Sequence, residues 1–378
     1  MGQPSNNPTT LEMRLLSFST GQPHPLAEQP IIFIMSMSPL LGHCNVLIEV
    51  VGEFLALLIT FPAARDEVKF FLVRWKRGET HSMSLPELRL DPQSSEWGAH
   101  SSFAFLLQDI LVFPDTTQNV LRIAKIVIDD DDTPRLVPLC VLHLPPLNRP
   151  ASIFHLGCRT EPNPTGSCPS ASPAPSDRPF RDKAEDAVII FNVLIDNYVG
   201  MHQFTFVVHR RTLLGHIPAA HRARAPFCSA PEPAPPLVHV PWSAWGPTAT
   251  RWFSGSSTSM TWITTTTGQR AVSLEDRMPT PIIVRDFNPY AVRATCALAA
   301  ASGEPQRGDW SMQLPNGNRK TLKLNESLFT AGPIFKEDVR SSLPFVETVT
   351  QDEYHYDGVM MDGESVLGLE VRLESLCR

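Results

Sequence analysis

The sequence predicts an all-β fold, a β-propeller-like ring of about six or seven irregular blades, and three observations carry that expectation. Leu16-Ser17-Phe18-Ser19-Thr20-Gly21 and Val73-Arg74-Trp75-Lys76-Arg77-Gly78 share one grammar, an apolar–polar alternation that turns on glycine, and their glycines lie 57 positions apart. Gly52-Glu53-Phe54-Leu55 is echoed by Gln108-Asp109-Ile110-Leu111, with Phe54 and Ile110 separated by 56 positions. The 36 prolines of the 378-residue chain, about twice the usual share, oppose long helices because each removes a donor and crowds the preceding turn.

The elements follow in order. Residues 1–10 are polar and read as a disordered tail, and residues 11–378 read as a single propeller-like domain. The first strand expected is 13–19. Alternating or continuous apolar runs then place strands at 46–51, 54–59, 68–75, 103–107, 110–113, 120–128 and 136–144. The apolar run 31–41 is about half the length a bilayer requires. Pro-rich insertions are expected at 159–184 and 218–236, whose composition buries too little apolar area to offset chain entropy. Strands resume at 187–195 and 203–208, and again at 260–266 before Gly268. Residues 289–301 read as a short helix.

Composition limits the function classes. Hydrophobic residues at 42% and charged ones at 19% define a chain that folds, and a net charge of −7 gives no global field for nucleic acid or an acidic membrane surface. Seven cysteines without CxxC spacing, and no secretory signal, point to a reducing intracellular compartment, cytoplasmic or nuclear. There is no G-x-S-x-G elbow, H-E-x-x-H helix, P-loop or G-x-G-x-x-G, so catalysis, metal and cofactor binding are not expected. The acidic run Asp129 to Asp132 reads as a solvated turn, because a calcium loop spaces its ligands around a glycine.

Two clusters are candidate binding surfaces. Arg210 and Arg211, with His209, His216, His221, Arg222 and Arg224, form a basic patch for an acidic partner or a charged hairpin loop. Trp242, Trp245 and Trp252 supply either a rigid aromatic recognition surface or packing between sheets. The sequon Asn325-Glu326-Ser327 is idle in a reducing compartment.

More specific strings are LLSFSTGQPHPLA from Leu15, CRTEPNPTGSCP from Cys158, RPFRDKAEDAVIIFNVLIDN from Arg178, VPWSAWGPTATRWF from Val240, RDFNPYAVR from Arg285, and FKEDVRSSLPF and YDGVMMDGESVLGL near the end. Together they resemble, over nearly the whole chain, the region downstream of the F-box in a large family of F-box proteins of mushroom-forming fungi. The resemblance implies a β-rich, propeller-like receptor region that holds a protein target for a cullin-type ubiquitin ligase. The F-box itself is not recognisable: Leu85-Pro86-Glu87-Leu88 copies its opening letters but leads into Asp91-Pro92-Gln93, where no amphipathic helix continues. A cullin-ligase adaptor is therefore not an expected partner.

The expectation is a non-catalytic protein-interaction module with an unknown protein target. The alternatives are an enzyme built on a propeller, with its site at the central channel, and a truncated, non-functional paralogue. Because the chain begins at what reads as the last strand of a blade, residues 365–371 are expected to pair imperfectly and to promote self-association through an unpaired edge.

Overall fold

A computed structural model describes residues 9–37, 43–61, 68–83, 102–129, 131–164, 183–222, 237–255, 265–275, 279–303, 308–363 and 365–370. The expected motif at 85–88, most of the two Pro-rich insertions and all but the end of the strand at 260–266 lie outside them. The chain divides into two compact units, Met1–Val141 with Asn163–Pro175 and Ile217–Val238, and Leu142–Pro162 with Ser176–His216 and His239–Arg378. The sequence predicts a single domain over 11–378.

In the first unit β1 (Thr9–Arg14) and β2 (Ile31–Met37) pair antiparallel. The strand expected at 13–19 is thus displaced toward the N-terminus. Residues 17–21 instead form a turn closed by the Gly21 amide on the Ser17 carbonyl at 2.8 Å, with Gly21 at φ +66°. The strands β3 (Asn45–Val51), β4 (Phe54–Thr60), β5 (Val68–Arg74) and β6 (Glu79–Met83) form a four-stranded meander. A second meander follows as β7 (Ala104–Leu107), β8 (Ile110–Asp115), β9 (Val120–Ile128) and β10 (Pro134–His143).

The 56-residue offset has a structural meaning, since Phe54 and Ile110 each open the second strand of a meander after a two-residue link. The two links meet. Gly52, at φ +60°, lies so close to Gln108 that a Cβ there would come within 2.6 Å of the Gln108 Nε2. The inner faces of the meanders share one core in which Phe54, Phe70 and Leu72 pack with Phe103, Phe105 and Phe113. Phe70 meets Phe103 and Phe113 edge to face, both at 5.3 Å. The opposite face of the first meander, with Leu55, Leu57, Ile59, Phe71 and Val73, packs on Ile32, Ile34 and Met35 of β2. β4 is therefore covered on both sides, which is why it reads as a continuous apolar run.

In the second unit β11 (Ser152–Arg159), β12 (Val188–Asp196) and β13 (Met201–His209) form the next sheet. A short strand, β14 (Val238–Val240), follows, and β15 (Thr250–Ser254) completes the order β11-β12-β13-β15. There follow β16 (Thr266–Thr267), β17 (Arg270–Leu274), β18 (Thr280–Asp286), β19 (Trp310–Gln313), β20 (Arg319–Lys323), β21 (Ser327–Phe329), β22 (Val339–Ser341), β23 (Phe345–Tyr354), β24 (Gly358–Met361) and β25 (Val366–Leu369). A six-stranded sheet runs β16-β17-β18-β23-β20-β19, and β21-β22 and β24-β25 are antiparallel pairs. Val188, Ile190 and Val207 of one sheet pack on Ala271, Phe287 and Phe345 of the next, and Val272 and Ile282 pack in turn on Val359 and Met361.

The helix Pro289–Ala301 forms where the sequence predicts it, with Asn288 as its N-cap accepting from the Tyr290 amide at 2.8 Å and proline in its first turn. Within the segment 365–371, expected to pair imperfectly, β25 pairs in register with β24 from Gly358–Leu369 to Met361–Val366. No helix among the described residues is long and apolar enough to cross a membrane.

A candidate interaction site at a hairpin tip

β12 and β13 pair without a register break from Val188–His209 to Asp196–Met201. Aromatic stacking stiffens this hairpin: Phe191 stacks on Phe206 at 4.6 Å, and Phe206 on Trp252 at 4.8 Å. The link at its end is Asn197-Tyr198-Val199-Gly200. Asn197 is only 4% exposed, and its Oδ1 accepts from the amides of Val199 and Gly200, both at 3.2 Å. Asp196 Oδ1 accepts from the Tyr198 amide at 3.2 Å. Side-chain carboxylate and carboxamide thus satisfy three loop amides and fix the turn from inside.

That turn holds Tyr198 at φ +65°, a left-handed conformation that is costly for a bulky side chain with a Cβ. Tyr198 is 86% exposed and Val199 85%, with Met201 at 48% beside them. A bulge in β11 between Ile153 and His155 leaves Phe154 44% exposed near the same end of the sheet. The amide Nδ2 of Asn197 has no acceptor. The tip therefore presents apolar and aromatic area on a braced backbone. This chemistry suits association with another surface.

The residues singled out from sequence lie elsewhere. Trp242, Trp245 and Trp252 are 8%, 2% and 2% exposed, so the surface reading is corrected in favour of packing. Trp242 meets Trp245 and Trp252 edge to face at 5.2 and 5.9 Å, and the Trp245 Nε1 donates to the His143 carbonyl at 2.8 Å. The helix Trp242–Ala249 that carries two of them passes Gly246 against the Trp242 ring, where a Cβ would stand 2.1 Å from ring carbons. Only glycine fits there.

The basic patch is split: His209, Arg210 and His221 are buried, Arg211 and Arg222 are exposed, and Arg224 lies outside the described residues. Arg210 is fully buried, donating from Nη1 to the Ala184 carbonyl at 2.5 Å and from Nη2 to the Thr160 hydroxyl at 2.9 Å and the Pro162 carbonyl at 3.1 Å. It fastens two loop segments together. His209 is buried, bonded through Nδ1 to the Asp186 carbonyl at 3.0 Å, and burial pushes its imidazole below the ordinary value. Arg211 faces solvent and pairs with Asp186 at 3.2 Å. In the acidic run, Asp129 accepts from Arg135 and Asp132 from Arg74, each at 2.7 Å, so both neutralise arginines.

Reasoning from sequence missed the tip, although a signal was present. Asp196-Asn197 followed by Gly200 between two apolar runs is a hairpin-turn pattern, and Tyr198-Val199 puts apolar residues where such turns are ordinarily polar. By fold and site this is an all-β protein of stacked sheets carrying an exposed aromatic hairpin tip. No family model matches the chain, and no curated protein matches it.

Proposed function

We propose that the protein is a non-catalytic protein-interaction module. Its sheets act as the blades of a propeller-like scaffold, and the tip at Tyr198 and Val199 anchors a protein partner. The observation that carries this reading is the 86% exposure of a tyrosine held at φ +65° by its neighbours' side chains. Strain of this kind is retained where the conformation is used, and an aromatic fixed before contact loses little entropy on binding. Support for blades comes from meanders that follow one another along the chain and share cores face to face. The strings that resemble the receptor region of fungal F-box proteins support a target-holding role. The buried thiols of Cys140 and Cys158 fit an intracellular reducing compartment.

The test is site-directed photocrosslinking with a benzophenone side chain placed at position 198, at 199 and, as control, at the exposed Leu298 on the helix. A discrete adduct from 198 and 199 but not from 298, identified by mass spectrometry, supports the reading. Identical labelling from all three positions contradicts it.

A further inference from the structure

β1 and β2 form a two-stranded sheet, so β1 has β2 on one side and, among the described residues, no strand on the other. Its burial alternates without a break. Leu11, Met13 and Leu15 are half-buried against the core under β4 and β5, while Thr10, Glu12, Arg14 and Leu16 are exposed. The Leu15 amide donates to the Pro30 carbonyl at 2.8 Å, so Leu15, and by alternation Met13, direct their backbone groups toward β2. The amides and carbonyls of Glu12 and Arg14 therefore point to the open edge. The one irregularity in the pairing is an extra residue on β2, Ile34, which leaves β1 itself regular.

Open edges are ordinarily guarded by proline, a bulge or repelling charges. β1 has no proline and no bulge, and its two charges are of opposite sign. Their spacing has a consequence for symmetry. Antiparallel pairing with a second β1 about a two-fold axis through Met13 sets Glu12 of each copy against Arg14 of the other. On the inner face Leu11 then meets Leu15 and Met13 meets Met13, so the half-buried apolar rows of both copies join. The charge pattern of β1 is thus complementary to its own two-fold image. Across β1 from the partner, Phe33 lies opposite Glu12 and Ile31 opposite Arg14, exposed by 53% and 51%, with Leu16 at 53%. The pairing brings this apolar area onto one continuous sheet.

We infer that the β1 edge is a self-association surface on which two copies of the chain pair in the order β2-β1-β1-β2, with the Glu12–Arg14 contacts setting the register. This surface is separate from the hairpin tip at Tyr198.

Sedimentation velocity of the full chain across micromolar concentrations tests the assignment. The wild type is expected to be a dimer in reversible equilibrium. Glu12→Arg sets arginine against arginine and Arg14→Glu sets glutamate against glutamate, so either change alone should weaken dimerisation roughly tenfold or more. Both positions are exposed, so folding should be unaffected. An equimolar mixture of the two variants restores opposite charges at every contact and should dimerise like the wild type, as should the double variant Glu12→Arg/Arg14→Glu. Neither a folding defect nor a different occupant of the edge produces that recovery. A wild type that stays monomeric, a dimer indifferent to both single changes, or a mixture that fails to recover overturns the assignment.

Discussion

Phe206 stacks on Trp252 at 4.8 Å, and the register of β13 with β15 puts the two residues directly opposite each other. This cross-strand pair joins the hairpin that carries Tyr198 to the tryptophan cluster, with Trp252 also meeting Phe335 edge to face at 5.9 Å. Trp252→Ala is expected to lower stability by about 3–5 kcal/mol, the range for truncating a buried large aromatic. The Trp252 Nε1 has no acceptor, so Trp252→Phe loses volume without losing a hydrogen bond and should cost clearly less than Trp252→Ala. Urea unfolding of both variants checks the order. A Phe variant as unstable as the Ala variant would show that the indole nitrogen has a partner in solution.

Adjacent arginines should behave oppositely. Arg210→Ala strips donors from the Ala184 and Pro162 carbonyls and the Thr160 hydroxyl, and is expected to cost about 3–5 kcal/mol. Arg211→Ala removes a solvent-exposed pair with Asp186 and should change stability by under about 1 kcal/mol. Comparable losses from both would contradict the assignment of Arg210 as the clasp.

Stability should depend on pH in the mildly acidic range. Burial holds the imidazoles of His155, His209 and His216 below the ordinary value, with Arg159 adding to the effect at His155. The unfolded chain then binds protons near pH 6.5 while the folded one does not, so stability is complete above about 6.5 and falls as pH drops below it. The slope is up to about 1.4 kcal/mol per pH unit for each histidine that stays neutral in the fold. Urea midpoints between pH 5 and 7.5 measure it, and His209→Gln should flatten the slope. A flat profile in the wild type would mean that these groups are solvated.

Much of the scaffold is legible in the sequence, and the reasons are physical. β4, β9 and β12 are long apolar runs because they are covered on both faces or deep in a sheet, and they begin within a residue of the expected positions. The helix Pro289–Ala301 carries its own cap, so local chemistry defines it. β20, Arg319–Lys323, has no such signal: its Arg-Lys-Thr-Leu-Lys sequence gains strand geometry from β19 and β23 on either side. β2 hides in the apolar run 31–41, which reads by length alone as too short for a bilayer. Trp75 shows where alternation stops being informative. It shares the side of Phe71 and Val73 but is half-buried, with its Nε1 on the Gly52 carbonyl at 3.0 Å and its ring against His24 at 5.1 Å.

The site was the least legible part because exposure inverts the usual meaning of residue type. Tryptophans suggest a recognition surface, but Trp242, Trp245 and Trp252 fill the interior. Tyr198 and Val199 show in sequence only as apolar residues in a turn, and their φ and exposure are what single them out.

The most direct test of the account is Tyr198→Gly, read in two measurements on one protein. Glycine adopts a φ of +65° without the penalty tyrosine incurs, so the variant should be more stable than the wild type by about 1 kcal/mol. It should also lose at least tenfold in affinity, by calorimetric titration, for the partner identified by crosslinking at 198. Greater stability with weaker binding is the result the account predicts. Lower stability with unchanged binding would place Tyr198 in the packing of the fold and contradict its role as the anchor.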